Sequence, residues 1–215
     1  MREVLLYSGG MDSFIAWHYL GKPKTVFVRL GHKYQKKEFD SVFATIPDTF
    51  VTKVFPYGIF EGEDATIPAR NLFLAMIGAQ YGNRIWLVVQ KDETSIPDRT
   101  PKFFTDGSEI LSTLLERKIE LASPFWDLDK TDMVKWYLDH VGDVGSLLDT
   151  VGCYGVGGRF QHCGDCSACF RRYVALANNG IDPGYTLSER IKGEYRGKMD
   201  HYSEERQARM ARWVA

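Results

Sequence analysis

Short apolar runs alternate with amphipathic or charged stretches along the first 120 or so residues. Residues 3–7 (EVLLY) form an apolar run that stops at Ser-Gly-Gly. Residues 12–20 then carry Phe14, Ile15, Trp17, His18 and Leu20 at helical spacing. A second β-rich run, 24–30 (KTVFVRL), is followed by a charged stretch to about Ile46 that fits a helix. Residues 49–55 alternate like a third strand, 70–81 form a largely apolar helix, and 84–89 (RIWLVV) form a fourth strand. The polar segment 91–103, with two prolines, predicts a loop directly after that strand. A helix over 106–117, a strand over 118–122 and a helix over 131–139, with Asp129 upstream as its cap, complete the pattern.

Strands alternating with helices predict a doubly wound, mostly parallel α/β sheet covered on both faces, with a crevice at the carboxyl ends of its strands. Residues 142–150 lead into a cysteine cluster, 169–178 fit a helix, and the charged tail from Leu187 predicts a solvated helix ahead of the alternative, a partner-docking arm. The expected organisation is a nucleotide-binding α/β domain over 1–150 and a zinc-binding helical appendage over 151–215.

With 215 residues, 44% hydrophobic and 26% charged, the chain suits one core or a core with an appendage. A formal net charge of −1 advertises no basic field, so nucleic acid is not expected as a direct substrate. No apolar stretch approaches the roughly 20 residues that span a bilayer. The opening MREVLLYSGG does not read as a signal peptide, and the expected location is cytoplasmic.

Two segments carry the chemistry. Ser8, Gly9, Gly10, Met11, Asp12 and Ser13 lie between the first strand and the first helix, with Tyr7 leading in. The glycines permit a tight turn, the serines offer hydroxyls, and the helix amides suit a phosphate. Asp12 would repel phosphate unless a cation such as Mg²⁺ lies between them. At the other end, Cys153, Cys163, Cys166 and Cys169 use every cysteine of the chain. Four thiolates match the closed tetrahedral site of structural Zn²⁺. Disulfides fit this C-x2-C-x2-C spacing poorly, and the run does not follow the ferredoxin pattern of iron–sulfur ligands. His162 then stands as a bystander.

SGGMDS resembles the SGG-x-DS signature of the PP-loop ATP pyrophosphatases. Taken with Ile67-Pro68-Ala69-Arg70-Asn71, the Pro97-Asp98-Arg99 loop and the C…CGxCxxCxxR cluster, residues 4–177 resemble the 7-cyano-7-deazaguanine synthase family. The resemblance implies an adenine nucleotide alpha-hydrolase-like fold. It also implies an ATP-dependent ligase that turns 7-carboxy-7-deazaguanine and ammonia into the nitrile through an adenylated carboxylate and an amide. It implies ATP bound at Tyr7, Ser8, Gly9, Gly10, Met11, Asp12 and Ser13, with Asp12, Ser13 and Arg70 catalytic and Arg70, Asn71 and Asp98 facing substrate. Zn²⁺ on the four cysteines, Mg²⁺ with ATP and a homodimer complete what it implies.

The chain departs from the family pattern in several places, among them a shorter segment before Ile67, a longer first cysteine gap and Ile96 for tyrosine before Pro97-Asp98. Ala69 stands where V-P-G-R-N has glycine, and Gly31-His32-Lys33-Tyr34 stands for Gly-Gln-Arg-His. His32 reads equally as a ligand contact or an exposed loop residue, and Lys33, Lys36 and Lys37 as a solvated face. The altered segment keeps open an enzyme that stops at the amide or uses another acceptor. A PP-loop tRNA-modifying enzyme would need a reactive cysteine beyond the four in the cluster. A non-catalytic nucleotide-binding scaffold would have no need of both the loop and Arg70.

Overall fold

The computed structural model describes residues 1–63, 66–91, 93, 96–155 and 161–215. Residues 92, 94 and 95 of the expected loop, and 156–160 between the first two cysteines, lie outside the described residues.

Five strands form one wholly parallel sheet: β1 (Glu3–Leu6), β2 (Lys24–Arg29), β3 (Phe50–Val54), β4 (Arg84–Trp86) and β5 (Glu120–Ala122). Their order is β3-β2-β1-β4-β5, so β1 lies at the centre and the strand order reverses between β1 and β4. In register, Val4 faces Lys24 on one side and Ile85 on the other.

Alternation along the strands decides which layer each side chain enters. Leu5 and Phe27 join one buried cluster with α1 (Met11–Tyr19), α2 (Gln35–Thr45) and α5 (Lys130–His140), through Phe14, Val42 and Met133. Val4, Leu6, Val26, Val28 and Ile85 enter the opposite cluster with α3 (Arg70–Gly78) and α4 (Pro101–Leu114), through Ala75, Phe104 and Leu111. Burial on both faces explains why the strands read as continuous apolar runs.

Four expectations are corrected. α4 begins at Pro101, inside the expected loop, because Thr100 caps it and proline occupies its first turn, where a missing N–H costs nothing. A short helix, α6 (Val144–Leu148), occupies the expected connector, with Asp143 accepting from the Ser146 amide. Lys37 is buried rather than solvated, its ammonium donating to the Gln161 carbonyl at 3.1 Å. The charged tail is not a solvated helix. Its α8 (Glu189–Arg196) and α9 (Glu204–Met210) bury Ile191, Tyr195 and Met210, joined by Val214 beyond α9, against Phe170 and Val174 of α7 (Ser167–Asn178). α7 also sends Ala175 and Leu176 into the cluster that holds α1 and α5.

Ala69 precedes α3 in the left-handed region, at φ +52° and ψ 23°. A Cβ there is strained, whereas glycine is not. Ala69→Gly is therefore expected to stabilise the chain by about 0.5–1 kcal/mol, even after the added freedom of the unfolded state. A higher urea midpoint at unchanged slope would show it; a lower midpoint would refute it.

Candidate active site

The segment 8–13 closes the gap between β1 and α1 at the carboxyl edge of the sheet, where the strand order reverses. Gly9 has φ +73°, and a Cβ there would lie 2.7 Å from the Glu38 carbonyl oxygen, so this glycine lets α2 approach the loop. Ser41 of α2 donates to the Gly9 carbonyl at 2.7 Å and to that of Asp149 at 3.1 Å. The Val151 amide also donates to the Gly9 carbonyl, at 3.0 Å. Ser13 Oγ donates to the Gly10 carbonyl at 3.0 Å and sits 3.2 Å from Ser8 Oγ. No side chain caps α1, so its first amides open toward the space above the loop.

That space is a cavity of about 260 Å³. Tyr7, Ser8, Gly10, Met11, Asp12, Ser13, Arg70, Asn71 and Cys153 line it, and so does His32. Gly9 and Asp98 are not on its wall. Tyr7 is buried and its hydroxyl bonds Thr45; burial raises the phenol well above its ordinary range, so it stays neutral. Asp98 accepts from the Asn71 amide at 3.2 Å, and Asn71 Nδ2 donates back to the Asp98 carbonyl at 2.9 Å. These two residues join the loop after β4 to the start of α3.

Lys130, Glu93 and Arg99 on this wall, and Gln90 beside it, have no counterpart in the expected site. Lys130, at the start of α5, contacts both carboxylate oxygens of Asp12, and Gln90 donates to Asp12 Oδ2 at 2.6 Å. Burial pulls the Lys130 ammonium below its ordinary value, and Asp12 opposes the shift. Glu93 bridges Arg99 at 2.9 Å and Arg171 at 3.3 Å. Arg172 is buried and serves structure, donating to Thr150 Oγ1 at 2.7 Å and to the Leu147 and Leu148 carbonyls. The His32 side chain is only 6% exposed, with Nε2 3.0 Å from Glu38 and its ring against Tyr34, rather than exposed on a loop. Arg70, Arg99, Lys130, Arg171 and Arg172 thus face Asp12, Glu38 and Glu93, a cationic excess that suits a polyphosphate.

One cavity wall is the four-cysteine segment. The sulfurs of Cys153, Cys163, Cys166 and Cys169 all lie within 4.8 Å of one another. Cys163 and Cys169 are 3.8 Å apart, which is about the 3.8 Å edge of a tetrahedron with Zn–S bonds of 2.3 Å. Amides of Gly155, Cys163, Asp165 and Cys169 point at the sulfurs, as they do toward metal-bound thiolates. The donor set fits a structural metal ion such as zinc. His162 stands aside, its Nδ1 3.8 Å from Cys169 Sγ and its ring stacked on Tyr185; burial holds it down to about 4 and hence neutral.

A family model described as "Queuosine biosynthesis protein QueC" matches residues 60–180, more than half of the chain. The chain belongs to the QueC family. The matched stretch holds Arg70, Asn71, Lys130 and all four cysteines, while the loop at Ser8 lies before it. The chain is similar to the 7-cyano-7-deazaguanine synthase of Methanococcus maripaludis, at 29% identity over 133 residues, covering 57% of each chain. It therefore spans little more than half of that relative's length. It is also similar to 7-cyano-7-deazaguanine synthase 1 of Colwellia psychrerythraea, at 26% identity over 220 residues, covering 85% of this chain and 97% of the relative. The 7-cyano-7-deazaguanine synthase of Chlorobaculum parvum is 29% identical over 230 residues, covering 85% and 95%. Among the described residues no helix is long and apolar enough to cross a membrane.

Proposed function

We propose that this QueC-family chain is an ATP-dependent carbon–nitrogen ligase that makes 7-cyano-7-deazaguanine from 7-carboxy-7-deazaguanine and ammonia, releasing AMP and pyrophosphate. One observation carries the reading. The Ser8 to Ser13 loop, the open start of α1 and the arginines and lysine of four separate segments meet on one cavity beside the four-cysteine site.

A carboxylate is a poor electrophile. Its oxygen attacks the α-phosphorus of ATP, pyrophosphate leaves, and the carboxyl oxygen now departs as AMP when ammonia attacks. Adenylation of the resulting amide oxygen by a second ATP, followed by loss of AMP and of the nitrogen's protons, gives the nitrile. The chain's part is placement and charge. Ser8, Ser13 and the first α1 amides hold phosphate oxygens, and Lys130, Arg70 and Arg171 balance the charge gathering on the leaving pyrophosphate. Tyr34 and Leu74 offer flat and apolar wall to the bicyclic base. Mg²⁺ would screen the phosphates, and Asp12, whose carboxylate here meets Lys130 and Gln90, would be the residue to hold it. The four cysteines with zinc hold the wall that carries Cys153 and Tyr154. A cytoplasmic homodimer belongs to the same reading.

Incubation with ATP, ammonium and 7-carboxy-7-deazaguanine should yield AMP and a product with the mass of the nitrile. Product arrested at the amide mass would move the chain to an amide-forming ligase. No AMP release with this acid would overturn the reading.

A further inference from the structure

We propose that the C-terminal helix α9 braces the nucleotide site, with Arg209 and Glu205 as positioning residues for Asp12 and Lys130. The inference rests on the reading of this cavity as the ATP site.

Asp12 is held from two sides, by Gln90 beyond β4 and by Lys130 at the start of α5. Each of these partners is next in sequence to a residue anchored by α9. Lys91, directly after Gln90, pairs with Glu205 at 2.7 Å. Asp129, directly before Lys130, pairs with Arg209. Arg209 then closes the circuit, with Nη2 2.6 Å from Glu205 and 3.0 Å from Asp132. Asp129 is also the cap of α5, accepting from the Thr131 and Asp132 amides at 2.8 and 3.0 Å, so whatever fixes Asp129 fixes the direction in which α5 starts. The base of the brace is firm, since Asn178 of α7 donates to the Arg209 carbonyl at 3.0 Å.

The energetics favour placement over stability. Lys91 and Glu205 are 40% and 48% exposed, and exposed pairs add little to folding free energy. Arg209 is a planar fork that reaches three carboxylates at once, which a lysine cannot do. A side cavity of about 50 Å³ lies at this junction, lined by Gln90, Asp129, Lys130 and Arg209, so the contacts are not backed by tight packing. A small loss of the ion pairs therefore moves Lys130 relative to Asp12 without unfolding the tail.

The test compares Arg209→Ala, Arg209→Lys, Glu205→Gln and Val214→Ala in the full-length chain. Val214→Ala thins the apolar cluster of the tail and leaves the ion pairs alone. Arg209→Ala should lower kcat about tenfold (~1.4 kcal/mol) with KM for ATP within twofold, and should speed amide hydrogen exchange at Thr131 and Asp132, whose amides donate to Asp129. Glu205→Gln should give a smaller change of the same kind, and Arg209→Lys should restore part of kcat. Val214→Ala should lower Tm yet keep kcat and those exchange rates. Wild-type kcat and exchange in Arg209→Ala, or equal losses in Val214→Ala, would overturn the brace. A wild-type chain that releases no AMP would sink the functional reading instead, and the exchange comparison would then judge the brace alone.

Discussion

Removing the metal from the four-cysteine site is expected to lower ATP-driven AMP release more than 100-fold and to lower Tm by 10 °C or more. Structural zinc contributes folding free energy directly, about 10 kcal/mol or more in isolated fingers. Here part of α7 is also held by the main core through Ala175 and Leu176, so a loss of several kcal/mol is the fair expectation. The rate effect follows from connectivity. Cys166 caps α7, which carries Arg171, and Cys153 and Tyr154 are themselves cavity wall. Val151, two residues before Cys153, donates to the carbonyl of Gly9. Without the ion, sulfurs only 3.8 Å apart repel as thiolates or lose their geometry as thiols, and the strain reaches the loop directly. Chelation followed by zinc add-back, with metal analysis and thiol titration, checks this. Four titratable thiols in a protein that keeps both its Tm and its rate would refute it.

The second large effect concerns the Asp12–Lys130 pair. Asp12→Asn and Lys130→Met are each expected to cost about 10²–10³ in kcat, the range for losing one preorganised charge at a transferring group. Their effects on folding should differ in pH dependence. Burial depresses Lys130 below the ordinary 10.5, while Asp12 pushes the other way. Below the depressed folded value both states hold the proton and the full penalty applies. Between that value and 10.5 the unfolded chain binds more protons, so stability rises with pH. Loss of the Asp12 charge deepens the depression and opens that window at lower pH. The Tm deficit of Asp12→Asn should thus narrow as pH rises from 7 toward 10, whereas Lys130→Met should show no such recovery. A deficit constant with pH would remove Lys130 from this role.

The layered fold was legible because buried parallel strands leave a plain mark, short apolar runs spaced by helical stretches. Boundaries were less so. Pro101 reads as a loop residue until Thr100 is seen as a cap, and then the same proline marks a helix start. The tail was misread because charge was counted over its whole length, while Ile191, Tyr195 and Met210 fall on one buried side. In the candidate site, the Ser8 to Ser13 loop and the cysteines were readable because each set lies within one short stretch of sequence. Lys130 was not, since 118 residues separate it from Asp12. A local signal did exist: a lysine in the first turn of a helix opposes the dipole, as Arg70 does at the start of α3. Gln90, Glu93 and Arg99 lie on the loop after β4, where sequence fixes position but not direction.

The strand order sets a timetable for synthesis. β1 pairs with β2 after a turnover of about twenty residues, but its other edge waits for β4, as Glu3 and Val4 meet Arg84 and Ile85 some 80 residues later. At about 5–20 residues per second, the nascent chain carries an apolar central strand with one edge open for roughly 4–16 seconds. For most of that interval Val4 and Leu6 lack the layer that α3 provides, and α4 follows only after β4. Expression yield should therefore respond to chaperone supply and to growth temperature more than the finished protein's stability alone would suggest.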